Sequence, residues 1–188
     1  MAISTINQNG LTAPLTLTAP NLGTPSAINL SNATALPSAA LPTGCVLQVV
    51  NAIYSTQVST NNTNWTTTGH TISITPKSAT SKIMIFVSAY VGVSQTNGAF
   101  FTVYRNSTNL ATGTAITALA AHDVNGFAAQ SASNVGINFL DSPATTSATT
   151  YTVYFQAANA SYAAYYCYTL GSGLNTTNAS LTVMEIAG

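Results

Sequence analysis

Three carboxylates, those of Asp123, Asp141 and Glu185, are the acidic side chains of this 188-residue chain. Two of them could hydrolyse a glycosidic bond, because that reaction needs one carboxyl as acid and a second as base or nucleophile. Asp141, however, stands in "LDSP", a turn sequence in which aspartate accepts local backbone hydrogen bonds. Glu185 belongs to the alternating "LTVME" and is expected to pair with one of the few basic residues. The sequence therefore favours structural roles over an acid–base pair.

Histidines and cysteines offer the other catalytic possibilities. His122 and Asp123 are adjacent in a serine-rich chain, but no G-x-S-x-G turn presents a nucleophile, so a polar loop is favoured over a triad. His70, His122, Cys45 and Cys167 lack the spacing of a metal site. The two cysteines are interpreted as free buried thiols, with a disulfide as the alternative. The sequence predicts no enzyme, no metal and no cofactor.

Tyrosines cluster in the stretch "SYAAYYCYT". Tyrosine supplies a large contact area with a polar tip, so we assign Tyr166 and Tyr168 to contacts between subunits. Aromatic rings also stack on sugars, and Trp65, Tyr162 and Tyr165 are the candidate glycan contacts. Packing in the core is the third alternative for these rings.

Charge is scarce throughout the chain. Three basic and three acidic residues make up 3% of the sequence and give a net charge of zero, while 46% of residues are hydrophobic. Disorder requires low hydrophobicity and high net charge, so the chain is expected to fold. A surface without charge is poorly protected against association, which predicts a permanent assembly. Lys77, Lys82 and Arg105 are too few to neutralise a nucleic-acid backbone.

Hydrophobic segments argue against a membrane protein. The longest apolar run, "IMIFVSAYVGV", is much shorter than the roughly 20 residues that a spanning helix needs. The first residues, "MAISTINQNG", lack the basic start and apolar run of a signal peptide. We therefore expect synthesis in a cytoplasm without membrane insertion.

Strand patterns begin at Cys45 and continue to the end of the chain. The strongest, "SKIMIFVSAYVGVSQT", is apolar on both faces, which predicts burial on both sides. We therefore expect Met84, Phe86 and Tyr90 to contact neighbouring subunits. Asn97-Gly98 predicts a hairpin that returns "AFFTVYRN" along this strand. About eight strands are expected, as in a jelly roll, whereas residues 113–131 fit either a short helix or a loop.

Residues 1–44 differ from the rest because they carry no charge and several prolines. Proline disfavours both a helix and a central strand, so this segment is expected to be an extended arm. The sequence thus divides into an N-terminal arm, residues 1–44, and an all-β head, residues 45–188, folded as an antiparallel jelly-roll β-sandwich.

Several stretches resemble a known group of proteins. "GTPSAINLSNATALP" resembles the uncharged repeats of tailed-bacteriophage fibre proteins, and "ITPKSATSKIMIFVSA", "FLDSPATTSATTYTVYFQA" and "LTVMEIAG" are similar to a C-terminal domain of phage virion proteins. The resemblance implies a homotrimer on the virion surface with a head of the tumour-necrosis-factor and C1q type. Its arm would contact capsid or tail proteins, as a short fibre or a capsid decoration. A tail fibre that recognises a host glycan, or a lectin-like module, is the alternative.

Overall fold

Regular structure in the described part of the chain consists of β-strands. The computed structural model describes residues 41–95, 98–112, 118–123, 130–169 and 177–188. No helix in these ranges is long and apolar enough to cross a membrane. The strands are β1 (Val46–Tyr54), β2 (Val58–Thr60), β3 (Thr66–Ile74), β4 (Lys82–Val93), β5 (Gly98–Arg105), β6 (Thr108–Asn109), β7 (Ala120–Asp123), β8 (Ser131–Asp141), β9 (Thr149–Ala157), β10 (Ala164–Tyr166) and β11 (Ala179–Ile186).

Strand pairing follows a nested order. Strand β1 pairs with β11, β3 with β9, β4 with β8 and β5 with β7, all antiparallel, so the chain is one long hairpin folded over twice. The first sheet contains β1, β11, β4 and β8, with β10 and β2 continuing alongside; the second contains β3, β9 and β5, with β6 and β7. This wrapping is a jelly roll. The predicted all-β sandwich is confirmed, and the described residues form eleven strands where about eight were expected.

The core lies between the two sheets and follows from strand alternation. Side chains of a strand point alternately to opposite faces, so every second residue enters the interior. In β3 the inward residues include Ile72 and Ile74, in β9 Val153 and Phe155, and in β11 Val183. One hydrophobic cluster joins both sheets. The six aliphatic residues predicted on one face of β4 all belong to it: Ile83, Ile85, Val87, Ala89, Val91 and Val93.

The predicted hairpin between β4 and β5 is wrong. Strand β4 already has β8 on one edge and β11 with β10 on the other, so no edge remains for β5. The chain instead crosses to the second sheet, where β5 pairs with β9. Gly98 is the first residue of β5, whereas Asn97 lies outside the described residues.

Within the described residues, only one face of β4 is fully buried. The second face is open, with Phe86 and Ser88 exposed and Met84 and Tyr90 half-buried. An apolar face that the described residues leave uncovered is what a subunit contact requires, so that assignment stays a prediction. In the uncertain stretch 113–131, the structure shows β7 and the start of β8; residues 113–117 and 124–129 lie outside the described residues.

The two ends of the sandwich lie side by side. Gly44, whose φ is +92°, donates its N–H to the carbonyl of Ala187 at 2.8 Å, and Ala187 donates back to the carbonyl of Cys45 at 2.8 Å. These bonds extend the β1–β11 ladder beyond both strands. Residues 1–40 lie outside the described part, and the division at residue 44 remains a prediction.

Candidate functional site, the outer face of the first sheet

An apolar row crosses the outer face of the first sheet. Strand register places Val49 of β1 beside Met184 of β11, Met184 beside Met84 of β4, and Met84 beside Leu140 of β8. Val49 is 53% exposed and Leu140 50% exposed, and the two methionines between them are half-buried. Antiparallel sheets usually turn polar side chains to solvent on this face. We call these four residues the apolar row.

Other apolar residues extend the row along the strands. Phe86 lies next to Met84 on the same face of β4, and Ile53 of β1 is 60% exposed. The positions between them are neutral, as in Asn51, which donates from Nδ2 to Thr182 Oγ1 at 2.7 Å. Such amide–hydroxyl pairs satisfy each other and leave the surface without charge.

The described strands place one charged side chain on this face, at its border. Lys82, at the start of β4, is the charged side chain that the described strands place on it, and its Nζ donates to Ser142 Oγ at 2.9 Å. The rest of the face consists of apolar, hydroxyl and amide side chains. Contacts made here would therefore depend on apolar burial and hydrogen bonds.

Two of the predicted interface tyrosines, Tyr90 and Tyr168, lie at the other end of this face. The Tyr168 ring covers Gly92 so closely that a Cβ on that glycine would overlap ring carbons. The Tyr168 hydroxyl donates to Gln130 Oε1 at 2.7 Å, and the ring lies 4.8 Å from that of Tyr165 between centroids. Tyr168 is only 4% exposed, so it offers almost no surface to another subunit, whereas Tyr90 is half-buried.

Tyr166 is placed in the core rather than at an interface. It has no exposed surface, and its hydroxyl lies 2.7 Å from His70 Nδ1. The assignment of Tyr166 to a subunit contact is corrected, because its ring is enclosed within its own chain. Its neighbour Cys167 has φ +53°, a left-handed conformation that interrupts the alternation and allows three consecutive buried residues.

The predicted glycan contacts do not belong to one sheet. Trp65 is half-buried and precedes β3 of the second sheet, whereas Tyr165 belongs to β10 of the first. Tyr162 is half-buried in the turn between β9 and β10. Their role in binding stays a prediction.

Sequence analysis missed a tyrosine pair on the outer face of the second sheet. The centroids of Tyr104 and Tyr154 are 4.0 Å apart, with 29° between the ring planes, and both rings are half-buried. Burial, with Tyr154 adding to it, raises the pKa of Tyr104. The sequence repeats Thr-Val-Tyr at residues 102–104 and 152–154. Val103 pairs with Val153 in the structure, so Tyr104 and Tyr154 are diagonal neighbours on adjacent strands.

Asp141 holds a buried ion pair, not the predicted turn. It is 5% exposed; its Oδ1 accepts from Arg105 Nη1 at 2.7 Å and its Oδ2 from the Tyr151 hydroxyl at 2.8 Å. Burial and the adjacent carboxylate raise the pKa of Tyr151, so the phenol keeps its proton and donates it. The contact joins β8 of the first sheet to β5 and β9 of the second.

Glu185 is fully buried and pairs with no base, contrary to expectation. Gln48 Nε2 donates to its Oε2 and the backbone N–H of Lys77 to its Oε1, each at 2.6 Å. Burial alone would raise the pKa of this carboxyl, but its hydrogen bonds outweigh burial and hold the pKa below the ordinary value. The lysine ammonium donates to the carbonyl of Leu47 instead.

The two buried carboxylates flank one core residue. Ile83 pairs with Asp141 on one side and with Glu185 on the other, so their strands are about 10 Å apart, two strand spacings. That separation is close to the one inverting glycosidases use. Both carboxylates, however, are enclosed in the core with their oxygens occupied by protein donors, and Ile83 between them has no exposed surface. The described residues therefore leave almost no surface of either carboxylate open to a substrate.

The histidine–aspartate pair does not assemble a triad. His122 is 8% exposed and faces the interior, whereas its neighbour Asp123 faces solvent from the opposite side of β7. His122 Nδ1 lies 2.7 Å from Ser133 Oγ of β8. Burial lowers the pKa of His122, partly offset by the Ser131 backbone and by Asp123. The geometry gives a serine–histidine contact between sheets without an orienting carboxylate.

Cys45 and Cys167 are not joined by a disulfide. Cys45 is partly exposed, and burial raises the pKa of Cys167 to about 11, so its thiol stays protonated. No group of three or more histidine, cysteine or acidic side chains within the described ranges could hold a metal ion.

Comparison with known proteins gives no sequence match and a weak structural similarity. No protein-family profile and no curated protein sequence matches this chain. Among solved structures, one titled "Structure of infectious bursal disease virus Gx strain" is similar over 74% of this chain and 41% of the other, with 14% identity and a TM-score of 0.37. The chain thus spans about two-fifths of that protein, and a similarity of this size carries no inference about function.

Proposed function

We propose that this chain is a non-enzymatic structural protein of a virion surface. It forms a homotrimer through the outer face of the first sheet and attaches to capsid or tail proteins through the arm, residues 1–44. The observation that carries the proposal is the apolar row, which crosses four strands without a charge. The trimeric state and the virion come from the sequence resemblance.

Burial of the exposed apolar residues supplies the driving force. Fully burying one large aliphatic side chain contributes about 1.5–3 kcal/mol. Val49, Ile53 and Leu140 are already about half covered, so each would contribute on the order of 1 kcal/mol more. Association itself costs at least about 4 kcal/mol, so the face must act as a whole. This supports one extended contact rather than a few point contacts.

Sedimentation velocity on the full chain tests the assembly. The wild type is expected at three times its chain mass of 19.3 kDa. The double variant Val49→Asp/Leu140→Asp should sediment as a monomer, because both ends of the apolar row then carry charge. The control Thr67→Asp/Thr71→Asp adds the same charge at exposed positions of the second sheet and should stay trimeric. A monomeric wild type, or dissociation of both variants, would overturn the proposal.

Copy number separates the two virion roles. A capsid decoration is present in many copies and a tail fibre in few, so densitometry of purified particles against a capsid protein of known copy number decides between them. Failure to find the chain in particles would remove the virion from the proposal.

Glycan recognition is the second candidate, favoured by the Tyr104–Tyr154 pair. The rings stand beside neutral hydroxyls: Thr71 Oγ1 and Thr152 Oγ1 lie 3.0 Å apart on the same face. Aromatic rings with nearby hydroxyls suit an uncharged sugar. A glycan array on the wild type and on Tyr154→Ala tests this, with Tyr165→Ala as control. Binding lost only in Tyr154→Ala supports a sugar site here, and equal binding by both variants contradicts it.

A further inference from the structure

The sequence contains two histidines, and both connect the two sheets from the inside. His70 is 1% exposed and His122 is 8% exposed. His70 lies in β3 and His122 in β7, both in the second sheet, and each contacts edge strands of the first. They occupy opposite edges of the sandwich, one at β1 and the other at β8.

His70 uses both ring nitrogens for this connection. Its Nε2 lies 3.1 Å from the carbonyl of Ala52 in β1 and its Nδ1 2.7 Å from the hydroxyl of Tyr166 in β10. A carbonyl only accepts, so Nε2 carries the hydrogen and Nδ1 accepts from the tyrosine. The neutral imidazole therefore satisfies both ring nitrogens and the tyrosine hydrogen. A second ring proton would turn the hydroxyl into an acceptor and leave its own hydrogen without an acceptor among the described residues. The same Ala52 carbonyl, on edge strand β1, is covered by this bond.

His122 makes the corresponding contact at the other edge. Its Nδ1 lies 2.7 Å from Ser133 Oγ of β8, and its Nε2 is buried without a hydrogen-bond partner in the described part of the chain. A proton on both nitrogens would leave Nε2–H unpaired in the interior, which costs free energy. This contact too is compatible with the neutral ring and strained by the charged one.

Among the described residues His70 faces no carboxylate, and at His122 the charge of Asp123 only partly offsets the effect of burial. Tyr54, Tyr166 and the Cys167 thiol are the titratable groups around His70, and burial raises the pKa of all three, so they stay neutral. Around His122 lie Ala99 of β5 and the backbone of Ser131, and Asp123 faces the opposite side of the strand.

We propose that the two histidine contacts form an acid-sensitive connection between the sheets, which weakens at both edges when the imidazoles are protonated. This goes beyond the proposed function and holds for the head in any assembly. Burial lowers the pKa of both histidines from the ordinary 6.5. Because the folded state then binds fewer protons than the unfolded state, the histidine contribution to stability is complete above about pH 7 and is lost as pH drops below 6.5.

Few other groups titrate in the same interval. The acidic residues are three, with ordinary pKa values near 4, and that of Glu185 is lowered further. Between about pH 6.5 and 5 the histidines therefore dominate the pH dependence. Uptake of two protons changes the folding equilibrium constant by up to about 100-fold per pH unit, and uptake of one by about 10-fold.

Denaturant unfolding of the full chain between pH 8 and pH 5, at fixed protein concentration, measures this. The wild type should lose up to about 100-fold in its folding constant per pH unit below 6.5. His70→Gln and His122→Gln should each reduce that slope to about 10-fold, and the double variant should remove it. A wild type with no pH dependence in this interval, or a double variant that keeps the wild-type slope, overturns the proposal.

Two measurements on the wild type keep the test decisive if the variants fold poorly. Titration of the histidine ring protons by NMR in the folded state should give two midpoints below 6.5. Hydrogen exchange at pH 5.5, corrected for intrinsic rates, should quicken in the edge strands β1 and β8 before the central strand β4. A histidine midpoint at or above 6.5, or an equal rise of the exchange rate in all strands, contradicts the proposed connection. Sedimentation at pH 8 judges the trimer separately.

Discussion

Replacing Asp141 by asparagine tests the ion pair that joins the sheets. In the wild type, one carboxylate accepts from the Arg105 guanidinium at 2.7 Å and from the Tyr151 hydroxyl at 2.8 Å. Asparagine has the same shape but only one oxygen, so one of the two donors loses its acceptor and faces an N–H group instead. Tyr151 has no exposed surface and cannot turn to water.

The magnitude follows from the two contacts. A hydrogen bond to a charged group contributes about 1.5–3 kcal/mol, and a buried donor left unpaired costs about 1–3 kcal/mol. The Arg105 side chain is 26% exposed and also donates to the carbonyl of Ser142 at 3.2 Å, so part of its loss is recovered. We therefore expect Asp141→Asn to lower the free energy of unfolding by about 3 kcal/mol. For a chain of this size that is a drop of roughly 6–12 °C in melting temperature.

The assay is chemical denaturation at pH 7.5 followed by tyrosine fluorescence and circular dichroism. Asp123→Asn is the comparison, because it removes the same charge from a carboxylate at a solvent-facing position, and it should cost less than Asp141→Asn. A double-mutant cycle with Arg105→Met should give a coupling of about 1–3 kcal/mol. If Asp141→Asn and Asp123→Asn cost the same, the buried pair does not hold the sheets together and the reasoning fails.

Three further predictions concern packing, a buried charge and salt. Gly92→Ala places a methyl group against the Tyr168 ring and should lower the free energy of unfolding by about 1–3 kcal/mol. Its control is Gly136→Ala on the neighbouring strand, whose methyl group meets only a backbone oxygen at 3.8 Å. In thermal melts this control should behave as the wild type. Glu185→Gln should lower the free energy of unfolding at pH 7 by about 1–3 kcal/mol. It should also reduce the further loss that the wild type shows as pH falls below the ordinary glutamate value of 4.5, measured by denaturation at pH 7, pH 5 and pH 3.5 so that the histidine contribution above pH 5 is separated. The melting temperature of the assembly should change little between low salt and sea-water ionic strength, because apolar burial is not screened; a steep fall with rising salt in calorimetry would contradict this.

Alternation was enough to predict the strands and the class of fold. The pattern Ile83, Ile85, Val87 identified the inner face of β4, and turn residues located the longer strands but not the short β6 and β7. The strand that pairs with each strand could not be predicted from alternation. The Asn-Gly signal after β4 favoured a hairpin, but a strand pattern does not reveal that both edges of β4 are filled by distant strands. Local sequence determines strand formation, whereas sheet membership depends on the whole chain.

The site residues show the same limit. Met84 and Phe86 were located on an open face because period-two alternation holds along β4. Tyr166 was assigned to an interface because tyrosine combines a large contact area with a polar tip, a property that suits the core equally well when the hydroxyl finds a buried partner such as His70. The partners of Asp141 and Glu185 lie 10 to 137 residues away in sequence, so their roles depend on contacts that only the folded chain brings together.

The hydrogen-bonded neighbours Gly44 and Ala187 make the sandwich suitable as an insertable module. Its entry and exit are joined by one 2.8 Å bond on the same edge, so two short linkers are enough to place it within a surface loop of a host protein. Because the two ends leave together, such an insertion would separate the host's flanking residues by only about one strand spacing, near 5 Å. The same closeness makes the head a candidate for circular permutation, with new ends opened in an exposed turn such as the one at Asn106.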